Sequence, residues 1–212
     1  MPEEKLSQEE VWDAIAEQWG NFRQKPHKDV EKRLKDVIEK WKPGKILDIG
    51  CGNCRNISIF SSKGFKCYGI DFSKNMIEKA KRFCDKYNAK IELKKGEAEK
   101  IDFPDESFDY ALCLNVLHCI ETGKREKAVR EIKRVLKPEG EALISVWNKL
   151  QKRFIFSKKE SVIPWTVKGN KYNRYYYLFT PIEIKRLFKN NGFKILGCNT
   201  FGRNIVLHVK KL

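Results

Sequence analysis

The sequence predicts an α/β fold with a mostly parallel seven-stranded sheet, an antiparallel C-terminal strand and helices on both faces. Three observations predict it. Between residues 44 and 147, short apolar segments alternate with amphipathic segments of helical period, which is typical of a parallel sheet. The segment LDIGCGN, 47–53, has the form of a strand that runs into a glycine turn. Two apolar segments, 193–198 and 204–210, are separated by a short loop, which predicts an antiparallel pair.

Two amphipathic helices are predicted before the first strand, at residues 7–19 and 27–41. In the first of them, Val11, Ile15 and Trp19 recur at helical spacing. A Pro-Gly pair ends the second helix.

The core that follows is predicted from the order of its apolar segments. That order is strand 45–50, helix 54–62, strand 66–71, helix 73–87, strand 90–96, strand 108–117, helix 124–136 and strand 141–147. A long irregular segment and a helix at 181–191 precede the last two strands. We therefore predict one domain over residues 1–212. Its parts are an N-terminal helical extension (1–43), a ligand-binding core (44–147), a basic aromatic insert (148–180) and a C-terminal helix with a strand pair (181–212).

Most of the net positive charge lies in the last third of the chain. The formal net charge is +16, and residues 148–212 hold 15 lysines and arginines but only two acids, Glu160 and Glu183. Within that part, KYNRYYYLF (171–179) interleaves aromatic and basic residues. Such interleaving is typical of surfaces that bind RNA, where cations meet phosphates and rings stack on bases. The alternative is a half-buried aromatic edge strand.

The remaining composition excludes several classes of protein. The charged N-terminus is unlike a signal peptide, and no apolar run approaches the ~20 residues of a membrane span, so we expect a soluble, cytoplasmic protein. We interpret the seven cysteines as reduced thiols. Cys51 and Cys54 form a lone CxxC, and His27, His118 and His208 are widely spaced, so we predict no metal site.

The glycine turn suggests a ligand site at the carboxyl end of the first strand. Gly50 and Gly52 would let the backbone approach a ligand closely, although a purely structural turn is the alternative. A dinucleotide fingerprint would need glycine at position 55, where this chain has Arg55. The acid Asp48 also suits a positively charged ligand better than a pyrophosphate.

Two further acids should lie at the same edge of the sheet. Asp71 ends the second strand, 19 residues beyond Gly52, where an acid can accept both hydroxyls of a ribose. It could instead cap the next helix, although Ser73 can fill that role. Glu97 and Ala98 follow the third strand, where a carboxylate could accept from an adenine amino group or remain an ordinary surface acid.

These segments, in this order, resemble the class I S-adenosylmethionine-dependent methyltransferases. The resemblance is carried by D-I-G-C-G, Asp71, GEAEKIDFPDESFDYALCLNVLH and IKRVLKPEGEALI. It implies a Rossmann-like class I fold and S-adenosyl-L-methionine as cofactor, with Cys54 in place of the usual third glycine. It also implies the residues that hold the cofactor, which are Asp48, Gly50, Cys51, Gly52, Asp71, Phe72, Glu97, Ala98 and Leu114.

The flanking segments resemble one branch of these enzymes, the tRNA wobble-uridine carboxymethyl methyltransferases. VWDAIAEQWGNFRQKPH, ALISVWNKLQ and VIPWTV with NRYYYLFTPIEI carry this resemblance. The chain departs from that pattern at His27, Asn115, Cys119 and Tyr177. The resemblance implies methyl transfer to a carboxymethyl group, or a related group, on the wobble uridine of tRNA. It also suggests a small zinc-containing activator protein as a partner.

A carboxylate acceptor would set the requirements of the site. The carboxylate is ionised at pH 7 and needs no general base. The protein must instead remove water from the carboxylate and orient it with cationic groups. The candidate catalytic residues are His118, whose alternative is a packed histidine satisfied by backbone, and Arg23, which could instead bind the carboxylate of the cofactor. The candidate substrate-binding residues are Lys25, Trp165, Arg174, Tyr175 and Tyr176.

Two other functions stay open at this point. Small-molecule methyltransferases, for example those acting on quinone precursors, share the LDIGCG and RVLKPEG segments, but they need no basic cleft. A non-catalytic RNA-binding subunit with the same fold is the alternative of another class, and the acids and glycines of the turn argue against it.

Overall fold

The computed structural model describes residues 6–212, which form six α-helices and nine β-strands. The helices are α1 (Gln8–Phe22), α2 (Lys28–Lys40), α3 (Ser58–Ser61), α4 (Lys74–Tyr87), α5 (Arg125–Val135) and α6 (Pro181–Asn190). The strands are β1 (Lys45–Ile49), β2 (Lys66–Asp71), β3 (Ile91–Lys95), β4 (Phe108–Leu114), β5 (Leu136–Trp147), β6 (Glu160–Val167), β7 (Asn170–Tyr177), β8 (Phe193–Asn199) and β9 (Asn204–Lys211). None of the helices within residues 6–212 combines the length and apolar character needed to cross a membrane.

Seven strands form one twisted sheet in the order β3-β2-β1-β4-β5-β9-β8. The first five strands run parallel to one another, and β9 runs antiparallel to both of its neighbours. The prediction of a mostly parallel seven-stranded sheet with an antiparallel C-terminal strand is confirmed. The strands β1 to β5 all end at one edge, called the carboxyl edge below, and the β8–β9 loop lies at the same edge because β9 begins there.

Helices cover both faces of this sheet, as the strand–helix alternation predicted. On one face, Val129 of α5 and Phe188 of α6 belong to a buried cluster with β4 and β5. On the other face, Leu34 of α2, Phe60 of α3 and Ala80 of α4 belong to a second cluster. All five side chains are fully buried. The sheet therefore has two separate cores, and its carboxyl edge is left for function.

Three boundaries differ from the sequence prediction for backbone reasons. The helix predicted at 54–62 shrinks to α3, because Cys54 has φ 63° in the left-handed region and turns precede the helix. The strand predicted at 108–117 ends at Leu114, because Asn115 also has a positive φ, 64°, and a 3-10 helix follows. In contrast, β5 starts earlier than expected, because Leu136 already pairs with β4 before a bulge.

The insert is not irregular, and that part of the prediction is wrong. Strands β6 and β7 pair antiparallel over their whole length as a separate two-stranded sheet. A two-residue turn joins them, with φ 48° at Lys168 and 84° at Gly169, and such positive φ values suit the twist of a tight hairpin. KYNRYYYLF is therefore mainly strand β7, and it lies in this hairpin rather than at an edge of the main sheet.

Candidate active site

The turn after β1 has the backbone that its glycines predicted. Gly50 and Gly52 have φ values of 68° and 54°. A Cβ atom at Gly50 would lie 2.4 Å from Cγ2 of Val116, so only glycine fits there. A Cβ atom at Gly52 would meet the ring of Trp19 from α1 at 3.3 Å. The turn thus brings bare backbone to the carboxyl edge, directly beneath the N-terminal extension.

Asp48 lies in β1 under this turn and is 1% exposed. Neither of its carboxylate oxygens has a hydrogen-bond partner among the described residues. Burial raises the pKa of Asp48 to about 8, with Arg55 opposing the rise and Asp71 adding to it. A buried carboxyl group without partners is costly in a folded protein. The arrangement suits a ligand that brings a positive charge or a hydrogen-bond donor to this point.

Asp71 ends β2 and accepts hydrogen bonds from two segments of the carboxyl edge, the glycine turn and the residues before α4. Its Oδ2 accepts from the backbone N–H of Gly52 at 2.9 Å, and its Oδ1 accepts from that of Ser73 at 3.0 Å. Burial raises its pKa to about 6, against the lowering effect of both bonds. The cap of α4 is Ser73, whose hydroxyl accepts from the N–H of Met76 at 3.1 Å. Asp71 is therefore more than a helix cap.

The other predicted cofactor residues lie around the same edge. The backbone N–H of Gly96 donates to the carbonyl of Asp71 at 3.0 Å, which brings the loop after β3 to the end of β2. In that loop Glu97 is exposed and Ala98 is buried. Of the other three, Phe72 is half-buried, and Cys51 and Leu114 are buried.

Helix α1 lies across the site, a position that the sequence did not predict. Asp13 accepts hydrogen bonds at the start of α4, from the hydroxyl of Ser73 at 2.5 Å and the N–H of Asn75 at 3.0 Å. At the other end of α1, the carbonyl of Arg23 accepts from the Asn53 amide at 2.9 Å and from Arg55 at 3.2 Å. The extension thus closes over the glycine turn from both ends.

His118 follows β4 in the 3-10 helix Leu117–Cys119 and is 1% exposed. Its Nδ1 accepts from the backbone N–H of Trp147 at 3.2 Å, so the proton of the neutral ring lies on Nε2. Burial lowers the pKa of His118 to about 3, and Arg174 and Arg125 lower it further. At physiological pH the ring is neutral and can donate a hydrogen bond. Its bond to the backbone is also what the alternative, a packed histidine satisfied by backbone, predicted.

The two faces of strand β7 have different surroundings. Arg174 and Tyr176 are 5% and 3% exposed, and they share the face that turns toward α1 and His118. The rings of Tyr176 and His118 stack with centroids 5.2 Å apart. On the opposite face, the hydroxyl of Tyr175 accepts from Arg125 at 2.6 Å. Tyr175 and Tyr176 therefore point to opposite sides, as alternation along a strand predicts.

Trp165 of β6 lies on the inner face of the hairpin, beside Arg174. Its indole N–H donates to the side-chain oxygen of Gln18 in α1 at 2.5 Å. The guanidinium of Arg174 lies 4.9 Å from the centre of the Trp165 ring. This contact joins the insert to the N-terminal extension, and both cover the carboxyl edge.

Three arginines without acidic partners in the described part of the chain surround the acceptor side of the site, and this surface is called the mouth below. Arg23, Arg153 and Arg203 are exposed, and none of them forms an ion pair within residues 6–212. Partial burial lowers the pKa of Arg153 although much of its side chain is exposed, and the charge of Arg203 lowers it further. Lys25 is also exposed and free of ion pairs over the same range. The mouth is therefore a positive surface that suits an anionic substrate.

Sequence reasoning did not single out Arg55, Arg153 or Arg203 as functional. Arg55 is 8% exposed, and its guanidinium lies 4.8 Å from the centre of the Trp19 ring. Its position after the glycine turn was the one feature of the sequence that could have identified Arg55 as a functional residue. The other two arginines contributed only to the net charge of the last third, and nothing local marks them.

The fit of a cofactor can be judged from the buried polar atoms. Seven buried side-chain nitrogen and oxygen atoms in the described part of the chain lack a hydrogen-bond partner, and all belong to residues at or facing the carboxyl edge. They come from Asp48, Asn53, Arg55, Asn115, Ser145 and Arg174. Such atoms are rare in folded proteins. Their concentration fits a polar ligand with both charges, as the methionine part of S-adenosylmethionine has. Among residues 6–212, no group of His, Cys, Asp and Glu side chains is arranged to hold a metal ion.

Comparisons with known proteins agree with this fold. A family described as a methyltransferase domain matches residues 47–144. A solved S-adenosylmethionine-dependent methyltransferase from Methanosarcina mazei superposes with a TM-score of 0.74 at 21% identity, over 89% of this chain and 99% of that one. The matched domain and the fold support a class I S-adenosylmethionine-dependent methyltransferase, with S-adenosyl-L-methionine as the implied cofactor.

Within this class the chain is related, at low identity, to tRNA methyltransferases. It is 28% identical to the human probable tRNA methyltransferase 9B over 164 residues, which are 76% of this chain and 34% of that protein. The chain therefore spans about a third of that relative. It is also 28% identical to the ubiquinone biosynthesis O-methyltransferase of Rickettsia bellii over 172 residues, 77% of this chain and 70% of that protein.

Proposed function

We propose that the chain methylates an anionic group on a modified uridine of tRNA, and specifically that it esterifies a carboxymethyl or related side chain at the wobble position. One observation carries the proposal. Arg174 is buried beside His118, and Arg23, Arg153 and Arg203 surround the mouth with no acidic partner in the described part of the chain. Positive charge without a protein counter-ion suits a substrate that brings phosphates and a carboxylate.

In this proposal the cofactor lies along the carboxyl edge. Asp48 receives its ammonium group, directly or through water, and Asp71 accepts from the ribose hydroxyls while it holds the glycine turn. Glu97 accepts from the adenine amino group. Phe72 and Leu114 line the parts of the cofactor site that hold the adenine and the sulfonium. When bound, S-adenosylmethionine supplies an activated methyl group.

Cys51, Gly50, Gly52 and Ala98 contribute backbone or small side chains to the same cofactor site. Their part is to allow close approach, since a larger residue at Gly50 would collide with Val116.

The acceptor half of the site needs orientation rather than proton transfer. A carboxylate of pKa ~4 is ionised at pH 7, so no base has to remove a proton before it attacks. His118 is neutral and offers its Nε2 proton as a hydrogen bond. In the proposal Arg174 and Arg23 supply the positive charge that draws the carboxylate out of water and fixes it. Arg23 could instead bind the carboxylate of the cofactor.

The tRNA part of the proposal is supported by the surface and by the relatives. The last third of the chain carries 15 basic residues against two acids, and the hairpin places part of that charge over the site. The tRNA methyltransferase 9B relatives match over most of this chain. Lys25 and Trp165 complete the proposed substrate surface, whereas Tyr175 faces the opposite side of β7 and contacts Arg125. A zinc-containing activator finds no support in the comparisons, and it stays a prediction of the resemblance alone.

A small-molecule methyltransferase is the second candidate. The ubiquinone biosynthesis relative favours it, because the match covers 70% of that enzyme against 34% of the human tRNA methyltransferase relative. A quinone precursor offers a phenol as acceptor, and a phenol needs a general base at neutral pH. The neutral, low-pKa His118 is a poor base for that purpose.

Nucleoside mass spectrometry tests the proposal. tRNA from cells with and without the protein would be digested and compared. The proposal expects one modified uridine to lose a methyl ester and appear as the free acid when the protein is missing. Unchanged tRNA nucleosides, together with an altered quinone profile, would favour the second candidate instead.

A further inference from the structure

Two phenylalanines at the carboxyl edge are almost completely exposed. Phe156 is 100% exposed and Phe201 is 99% exposed. Phe156 lies in the segment after β5, and Phe201 lies in the β8–β9 loop. Single exposed apolar side chains are common, but two fully exposed rings on neighbouring loops at one edge make a candidate binding surface.

The two loops that carry these rings are held together by hydrogen bonds. The carbonyl of Arg203 accepts from the backbone N–H of Asn148 at 3.0 Å and from the side chain of Gln151 at 2.7 Å. The Asn148 amide donates to the carbonyl of Thr200 at 3.0 Å. The loops are therefore anchored at their bases, and their rings project from a common support.

The two segments of this support carry an excess of positive charge, although Asp29 of α2 lies against Gly202 and Lys159 pairs with Glu183. Residues 148–159 and 200–203 together contain six lysines and arginines and no acid. Arg153 stacks on the ring of Phe154 at 4.1 Å, and Phe154 in turn stacks on Trp147 at 5.6 Å. Trp147 is the residue whose N–H orients His118. The surface with the exposed rings thus continues directly into the proposed acceptor site.

We propose that Phe156 and Phe201 stack on unpaired bases next to the target uridine, while Arg153 and Arg203 bind the phosphates between them. This inference rests on the proposed tRNA function and specifies its surface. Unpaired bases stack on aromatic rings whatever their identity, and flanking cations follow the backbone. Two exposed aliphatic side chains, Leu150 and Ile155, add apolar surface that bases can also cover.

A protein is the alternative binding partner for these two rings. The charge favours RNA, because a surface with an excess of cations repels basic partners and attracts phosphates.

Binding of the full-length protein to RNA tests the inference. The probes are total tRNA from cells without the protein, a single-stranded oligouridine and an RNA duplex of equal length. Phe156→Ala and Phe201→Ala should each weaken binding of tRNA and oligouridine by about 5- to 150-fold, the range measured for loss of one stacked base. Their salt dependence and their binding to the duplex should stay at the parental values. Arg153→Ala and Arg203→Ala should make the salt dependence shallower by about 0.7–0.9 each.

Tyr87→Ala is the matched control, because that ring is 52% exposed at the end of α4 that points away from the carboxyl edge. Its RNA binding should equal that of the parent. If the parent binds tRNA in a salt-dependent way but both phenylalanine variants behave like this control, the stacking inference is overturned and the tRNA function stands. If the parent shows no salt-dependent tRNA binding, the proposed function itself fails.

Discussion

Arg174 donates a hydrogen bond of 2.8 Å to the hydroxyl of Tyr176, two residues further along the same strand. Both side chains are buried, and no acid balances the guanidinium within residues 6–212. One of its nitrogens, Nε, has no hydrogen-bond partner in the described part of the chain. A buried cation without a counter-ion is a cost to folding, so its presence at the acceptor site indicates a role with an anionic substrate.

The first prediction concerns Arg174→Met. Methionine keeps much of the volume and removes the charge. Methyl transfer at saturating cofactor should fall at least tenfold, while cofactor affinity stays unchanged. The free energy of unfolding should fall by no more than about 1 kcal/mol, because the loss of one hydrogen bond is offset by removal of an unpaired buried charge. Single-turnover rates and chemical denaturation measure the two effects.

Arg130→Met is the control for that experiment, since Arg130 is exposed and pairs with Glu126 four residues away. It should change neither rate nor stability measurably. A large loss of stability with a normal rate for Arg174→Met would mean that the guanidinium is a structural group only.

The second prediction concerns Asp71→Asn. The variant loses an ionised acceptor, and a hydrogen bond to a charged group contributes roughly 1.5–3 kcal/mol, so cofactor affinity should fall at least about tenfold. Asp71 also bonds to the backbone of Gly52 and Ser73, so the thermal midpoint of the variant should fall as well.

Asp102→Asn serves as the comparison, because Asp102 is an exposed acid paired with Lys94 in a nearby loop. Calorimetry with S-adenosylmethionine should show parental affinity for it. Equal affinities for the two variants would remove Asp71 from the cofactor site.

The third prediction is a pH dependence of cofactor binding. The pKa of Asp48 in the free protein is about 8, so its carboxyl group is mostly protonated at pH 7. An ammonium group brought close favours the ionised form, so binding should release about one proton at pH 7 and affinity should rise as pH increases from about 6 to 8. Calorimetry in buffers with different ionisation enthalpies measures the released proton. Asp48→Asn should abolish the release, and proton uptake in the parent would contradict the assignment.

The fourth prediction concerns His118 and the pH dependence of the chemical step. The pKa of His118 is about 3 and the acceptor carboxylate is already ionised, so nothing needed for attack titrates between about pH 6 and 9. The single-turnover rate at saturating cofactor and tRNA should be nearly flat over that range. His118→Asn should lower the rate without abolishing it or changing the profile. A steep rise toward alkaline pH would indicate an amine, phenol or thiol acceptor.

Local patterns in the sequence determined much of the fold. The apolar periods of α2 and α4, the cap at Ser73 and the glycine turn depend on neighbours in the chain, and all of them are found where the patterns placed them. Local deviations were harder to predict. The positive φ at Cys54, a residue that rarely adopts it, shortened a helix that the pattern had extended.

The candidate site depends on contacts that no local pattern contains. Trp165 bonds to Gln18, and Tyr175 bonds through its backbone to Gln8, across 147 and 167 residues of sequence. These contacts fold the insert over the N-terminal helix and bury Arg174, which looked like a surface cation in KYNRYYYLF. Sequence reasoning could name the hairpin residues as candidates, but their burial and pairing needed the tertiary structure.

The most direct test of the central claim uses the purified protein, S-adenosylmethionine with a labelled methyl group, and total tRNA from cells without the protein. We expect the label to enter one uridine nucleoside of the tRNA and to be released as methanol by mild alkali, as a methyl ester requires. The parent should transfer it, and Arg174→Met should transfer at least tenfold less. Label that stays on the tRNA through alkali, or that enters only small molecules such as quinone precursors, would contradict the account.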